Sequence, residues 1–224
     1  MSCPITVILG VVERYQTLIA GLLALLGAWW TVTKLREQTR QTGIIEADRR
    51  ERRNLAARTV MPAALSALVD YATACLKFLD QFQRDEYGLV APPPGISPPS
   101  VPAEAMLTLR ECIQFGDYAV AEVIADMISK IQIQQARLVD ILRFAKEHGG
   151  IITLANIDTY VVDALEVIAR ASKLFPYARR DLNARLETPT PDDIRQAARV
   201  RGIDERREDV YAQIDRWVPN RERV

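Results

Sequence analysis

Tyr15-Gln16-Thr17-Leu18-Ile19-Ala20-Gly21-Leu22-Leu23-Ala24-Leu25-Leu26-Gly27-Ala28-Trp29-Trp30-Thr31-Val32-Thr33 is a run of 19 residues without a charge. A helix of that length, at about 1.5 Å per residue, extends roughly 28 Å, close to the hydrocarbon thickness of a bilayer. Tyr15 stands at one end, Trp29 and Trp30 at the other. Amphipathic rings favour such interfacial positions. Lys34, Arg36 and Arg40 follow directly and suit contact with lipid head groups. The expectation is an N-terminal single transmembrane helix.

The flanks set an expected orientation. Arg14 stands alone before the run, beside Glu13. Lys34, Arg36, Arg40, Arg49, Arg50, Arg52 and Arg53 come after it. The positive-inside rule then places the N-terminus outside and the C-terminal bulk in the cytoplasm. A retained anchor is expected rather than a cleaved leader. Leu26 fills the position two before Ala28 where cleavage wants a small residue, and the apolar run continues past it. The shorter apolar run Ile5 to Val12 cannot span and would lie at the interface or extend the anchor.

On a helical wheel the small residues of the run separate from the large ones. Thr17, Ala20, Gly21, Ala24, Gly27, Ala28 and Thr31 fall within an arc of about 120°. Small side chains let helix backbones approach closely in lipid, so this arc is the expected helix-packing face. It would serve a homo-oligomer or another protein's helix. Its three-four spacing suits a left-handed, coiled-coil-like crossing.

The opening Tyr15-Gln16-Thr17-Leu18-Ile19-Ala20-Gly21 resembles that of uncharacterised small bacterial single-pass inner-membrane proteins. The resemblance covers roughly residues 13 to 35. It implies an anchor in a bacterial inner membrane and carries no activity with it.

Composition narrows the rest. The 224 residues hold 29 basic and 29 acidic side chains, a balance unlike that of a general nucleic-acid binder. Cys3, Cys75 and Cys112 are too few and too far apart for a disulfide framework or a cysteine metal site. Cys75 lies on an apolar helix stripe and reads as a small hydrophobe. His148 is the one histidine, at a predicted helix end where it would cap. No phosphate loop, nucleophile elbow or paired-histidine metal motif occurs, so neither an enzyme nor a cofactor is expected. Glu122, Asp126 and Lys130 share a helix face and read as surface pairing.

The soluble part reads as all-α. Residues 34–59 form a charged helical stalk. Pro62 is expected to open a new helix capped by Thr59, with Met61, Leu65, Leu68, Ala72, Cys75, Leu79 and Phe82 facing a core, ending near Tyr87-Gly88. A Pro-rich loop follows across 88–103. Helices are expected over Glu104–Phe115 and Tyr118–Glu147, the second with the stripe Val120, Ile124, Met127, Ile131, Gln134, Leu138, Ile141 and Ala145. Gln134 is the polar exception and reads as an edge position, the alternative being a buried amide that fixes register or partner at a cost in stability. Asn156 is the expected cap of the next helix, whose inner face carries Ile157, Val161, Ala164, Ile168, Ala171 and Phe175, with Pro176 ending or kinking it.

Thr190 with Pro191, Asp192 and Asp193 signals another helix start, and Gly202 its end. Asp204 would cap a last helix bearing Val210, Ile214 and Trp217. Residues 190–218 hold six arginines against seven acids, which does not suit DNA phosphates. No alternating strand pattern of useful length appears. The expected architecture is an anchor (1–33), a stalk (34–59), a cytoplasmic antiparallel helical bundle (60–186) and a C-terminal helical hairpin (187–224). Without chemistry to assign, such a chain is expected to scaffold or bind a protein partner at the membrane. The alternative is a membrane effector or stress factor acting by oligomerisation in the bilayer.

Overall fold

The computed structural model describes residues 4–84, 89–148, 152–181, 186–203 and 207–217, with the side chains of 4–14, 17, 19, 83, 84, 89 and 146–148 outside the description. The described chain is almost all helix. Its elements are α1 (Pro4–Asp80), β1 (Gln83–Arg84), β2 (Leu89–Ala91), α2 (Ala103–Phe115), α3 (Tyr118–His148), β3 (Ile152–Thr153), α4 (Leu154–Ala178), α5 (Pro191–Val200) and α6 (Glu208–Asp215). Two units divide it, Met1–Arg52 and Arg53–Val224. The division falls inside the expected stalk.

The first unit is helical throughout its described length. All described side chains from Ala20 to Arg52 are exposed. Thr31 Oγ1 donates to the Gly27 carbonyl at 2.8 Å, and Thr33 Oγ1 to that of Trp29 at 2.8 Å. These two hydroxyls thus find partners within the helix itself.

In the second unit one apolar core joins the end of α1 to the other helices. Met61, Leu65, Leu68, Ala72, Cys75 and Leu79 are buried and Phe82 is half-buried, following the expected stripe. The start of this segment differs from expectation. Pro62 lies inside α1 and opens no new helix. Thr59 is not a cap, because its Oγ1 donates back to the Leu55 carbonyl at 2.7 Å. Proline in a helix interior costs about 3 kcal/mol. Burial of Ala57, Met61, Ala64 and Leu65 on both sides of it offsets that cost. Arg58 adds a tie: its Nε donates to the Tyr177 carbonyl at 2.7 Å, and its guanidinium stands 4.1 Å from the Tyr177 ring centroid.

α1 ends at Asp80, short of the expected Tyr87-Gly88, a pair that lies outside the described residues. A small antiparallel sheet of order β1-β2-β3 follows, correcting the expectation of no strands. Its register sets Gln83 opposite Ala91 and Val90 opposite Ile152. Val90 and Ile152 both point into the core. Segments of two or three residues are too short to display an alternating pattern, so sequence cannot reveal them.

α2 and α3 begin and end close to their expected bounds, separated by Gly116. A Cβ at Gly116 would come within 2.5 Å of the Cys112 carbonyl oxygen, so only glycine closes this corner without movement. Along α3, Val120, Ile124, Met127, Ile131, Leu138 and Ile141 are buried as the stripe predicts. Gln134 departs from its expected edge position. It is 1% exposed, and neither amide atom has a hydrogen-bond partner.

Thr153, not Asn156, caps α4. Its side chain accepts from the Asn156 N–H, while Asn156 Oδ1 accepts from the Thr153 N–H, a reciprocal capping box. The expected inner face of α4 is too narrow. Every residue from Ala164 to Ala171 is buried, because α3 packs on one side and α5 and α6 on others. Pro176 stands within the last turn. Its carbonyl accepts from the Asp181 N–H at 3.0 Å and the Tyr177 carbonyl from the Arg180 N–H at 3.0 Å, a Schellman close with Arg180 at φ +62°.

α5 starts as expected, with Thr190 and Asp193 in a capping box and Pro191 at the first position. Gly202 at φ +70° ends it in a second Schellman close. Ile194, Ala197, Ala198, Val210, Ile214 and Trp217 all reach the core. Asp204 and the His148 side chain lie outside the described residues, so α6 is described only from Glu208.

Gln134 generates a stability prediction. An unpaired buried amide forfeits its hydration, at a cost of about 1–3 kcal/mol. Gln134→Met, of similar volume, should therefore raise the thermal midpoint measured by circular dichroism. A lower midpoint would mean that the amide has a partner in the folded protein.

Candidate functional site

Two surfaces stand out. The first is the apolar part of α1. The helix is long and apolar enough to cross a membrane. Its apolar residues occupy two stretches with opposite surroundings. Those from Met61 to Leu79 face the protein core. The described ones from Leu18 to Val32 face outward, with Leu25 71%, Trp29 67% and Leu18 65% exposed. So many large apolar side chains, contiguous and bare, exceed what a water-facing helix carries.

The expected packing face lies on this stretch. Ala20, Gly21, Ala24, Gly27, Ala28 and Thr31 are exposed, and the side chain of Thr17 lies outside the described residues. A Cβ placed on Gly21 or Gly27 would meet nothing within 4 Å. The chain's own fold therefore does not require glycine at either position. Lys34, Arg36 and Arg40 are exposed one turn further on, and the Lys34 ammonium stands 5.7 Å from the Trp30 ring centroid.

The second surface is a cavity of about 490 Å³ in the second unit, bounded by α3, α4 and the end of α6. It is built around Glu166, which is 1% exposed. Arg170, one turn on, donates to Oε1 through Nε at 2.9 Å. Trp217 Nε1 donates to Oε2 at 3.0 Å, and Lys130 Nζ approaches the same oxygen at 3.0 Å. Both carboxylate oxygens are thus engaged by donors from three parts of the chain. Burial alone would raise the pKa of Glu166, but Lys130, Arg170 and the indole N–H outweigh it and hold the carboxyl below its usual range.

One turn before Glu166, Asp163 pairs with Arg137 of α3. Here burial prevails over the arginine, and the carboxyl is pushed up from its usual value. Thr159, Val162, Ile133, Gln213 and Arg216 complete the lining.

Lys130 is therefore not part of a surface pair with Glu122 and Asp126 as expected. It crosses to Glu166 on another helix. Glu166, Arg170, Asp163 and Trp217 did not stand out in sequence as a site. A signal was present: Asp163, Glu166 and Arg170 are the only charges between Val161 and Ala171. Charges embedded in an apolar stretch call for buried partners.

The two described thiols, Cys75 and Cys112, offer no ready nucleophile. Burial pushes Cys75 and Cys112 up to about 11, which keeps both protonated at neutral pH. Among the described residues no cluster of three metal-ligating side chains is found.

Glu166→Gln should strand two cations in the interior. Breaking a buried ion cluster in this way costs about 3–5 kcal/mol. The sign with pH follows from the lowered pKa. The carboxylate's contribution is complete above the unfolded value near 4.5 and fades as pH falls through the lower folded value. Denaturant unfolding at neutral pH should show a large gap between variant and wild type. That gap should close at strongly acidic pH. No protein-family model, curated protein or solved structure matches this chain.

Proposed function

We propose that this protein is a single-pass membrane protein whose second unit binds or scaffolds a protein partner in the cytoplasm, without catalysis of its own. One observation carries the membrane reading: the uncharged run Tyr15–Thr33 exposes its leucines and tryptophans while the Thr31 and Thr33 hydroxyls bond back to the helix. Lipid rewards that combination. The basic residues from Lys34 to Arg53 favour a cytoplasmic second unit, with Lys34, Arg36 and Arg40 at the head groups. The resemblance of the anchor supports a bacterial inner membrane. We read the second unit as an antiparallel helical bundle with α5 and α6 as its terminal hairpin.

The bare small-residue face supports a second reading, an effector that acts by oligomerising in the bilayer. Collapse of the membrane potential on overexpression would favour it over the scaffold.

The cavity raises the case for an enzyme, since Asp163 and Glu166 both line it. The surroundings argue for a holding role. Glu166 already accepts from Arg170 and Trp217 and is bridged to Lys130, while Asp163 is paired with Arg137. A general base needs an oxygen free to take a proton from substrate, and Glu166 has both of its oxygens engaged.

A topology reporter active only outside the cytoplasm, fused after Val224, should stay silent. Strong activity from that fusion would overturn the orientation. Partners recovered by native purification from membranes would test the scaffold directly.

Ala24 and Leu25 test the anchor face. They are neighbours in sequence but about 100° apart on the helix. Ala24→Ile should weaken self-association in a membrane two-hybrid assay of the span, and Leu25→Ile should not. Equal signals from both variants and wild type would exclude packing against a second copy.

A further inference from the structure

The charges around the Glu166 cavity do not balance. Lys130, Arg137 and Arg216 line it together with Asp163 and Glu166, and Arg170 stands behind Glu166. Four cations thus meet two carboxylates. Arg137 and Asp163 neutralise one another. Glu166 then faces two cations, Lys130 and Arg170, with one charge between them. Its oxygens also take the Trp217 N–H, so it has little left to offer. A poorly solvated cationic surplus is costly unless an anion joins it.

The donors suit such an anion. The Lys130 ammonium has three N–H groups, and Glu166 takes one of them. Its side chain is 14% exposed and lines the cavity. Arg216 is exposed on the α6 side, where its planar fork matches the two oxygens of a carboxylate or phosphate. The rest of the wall combines apolar or aromatic Ile133, Val162 and Trp217 with polar Thr159 and Gln213. A volume of about 490 Å³ exceeds the needs of an inorganic ion and falls in the range of small-molecule sites.

We propose that this cavity binds a small organic oxyanion, its carboxylate or phosphate held between Lys130 and Arg216 and its apolar body against Ile133, Val162 and Trp217. The site is independent of the membrane reading, because every residue in it belongs to the second unit.

Isothermal titration of the full chain in a neutral detergent tests the proposal, with benzoate, phenyl phosphate and uncharged benzamide as probes. One of the two anions should bind at one site per chain, and benzamide at least tenfold more weakly. The preferred anion identifies carboxylate or phosphate as the head group. Arg216→Gln lies at an exposed position and should keep the fold while weakening that anion at least tenfold. Lys130→Met should do the same. If Lys130→Met fails to fold, Arg216→Gln decides alone. Equal binding of benzamide, unchanged affinity in Arg216→Gln, or no saturable binding of either anion at millimolar concentration would overturn the proposal.

Discussion

The second unit depends on how one buried carboxylate is satisfied. Glu166 sits in the middle of the most enclosed helix, where an unpaired charge could not persist. Its partners come from α3, from α4 and from Trp217 beyond α6. Apolar packing against α4 would hold these elements together but would tolerate sliding. The directional bonds to Oε1 and Oε2 fix where each stops. Such a cluster adds little net stability over an apolar replacement, and its value lies in specifying one arrangement.

That constraint also explains the cavity. Lys130 from α3 and Trp217 from beyond α6 are both drawn to the same oxygen. Arg137 is held by Asp163 in the same manner one turn earlier. The gap between these tethered side chains is what remains open. A site formed by restraint in this way is largely shaped before any ligand arrives, which reduces the ordering cost of binding.

Much of the helical layout was legible from residue spacing. The stripes on α1 and α3 repeat every three or four residues over several turns, and the buried residues follow them. Thr190-Pro191-Asp192-Asp193 was readable because capping chemistry is local. Pro62 was misread because the core on either side of it holds the helix through the defect, a nonlocal effect. Asn156 was misread by one turn because both members of a capping box carry hydrogen-bonding side chains. Gln134 and the faces of α4 depended on how many neighbours surround a helix, which a single helix's pattern does not state. The charged cavity was hidden for a related reason. Its residues are spread from Lys130 to Trp217, and only the crossing of helices brings them together.

The small sheet has a consequence for the order of events in folding. Pairing Val90 with Ile152 closes a loop that contains all of α2 and α3, whereas the helices form from neighbours in sequence. The entropy lost in closing so long a loop is recovered only through a few ladder bonds and two buried side chains. The sheet therefore joins late, after the helices have brought its ends near one another. By the same measure it is among the first parts to open in the native state, so the amides of Val90 and Ile152 exchange with solvent well before those at the centre of α4.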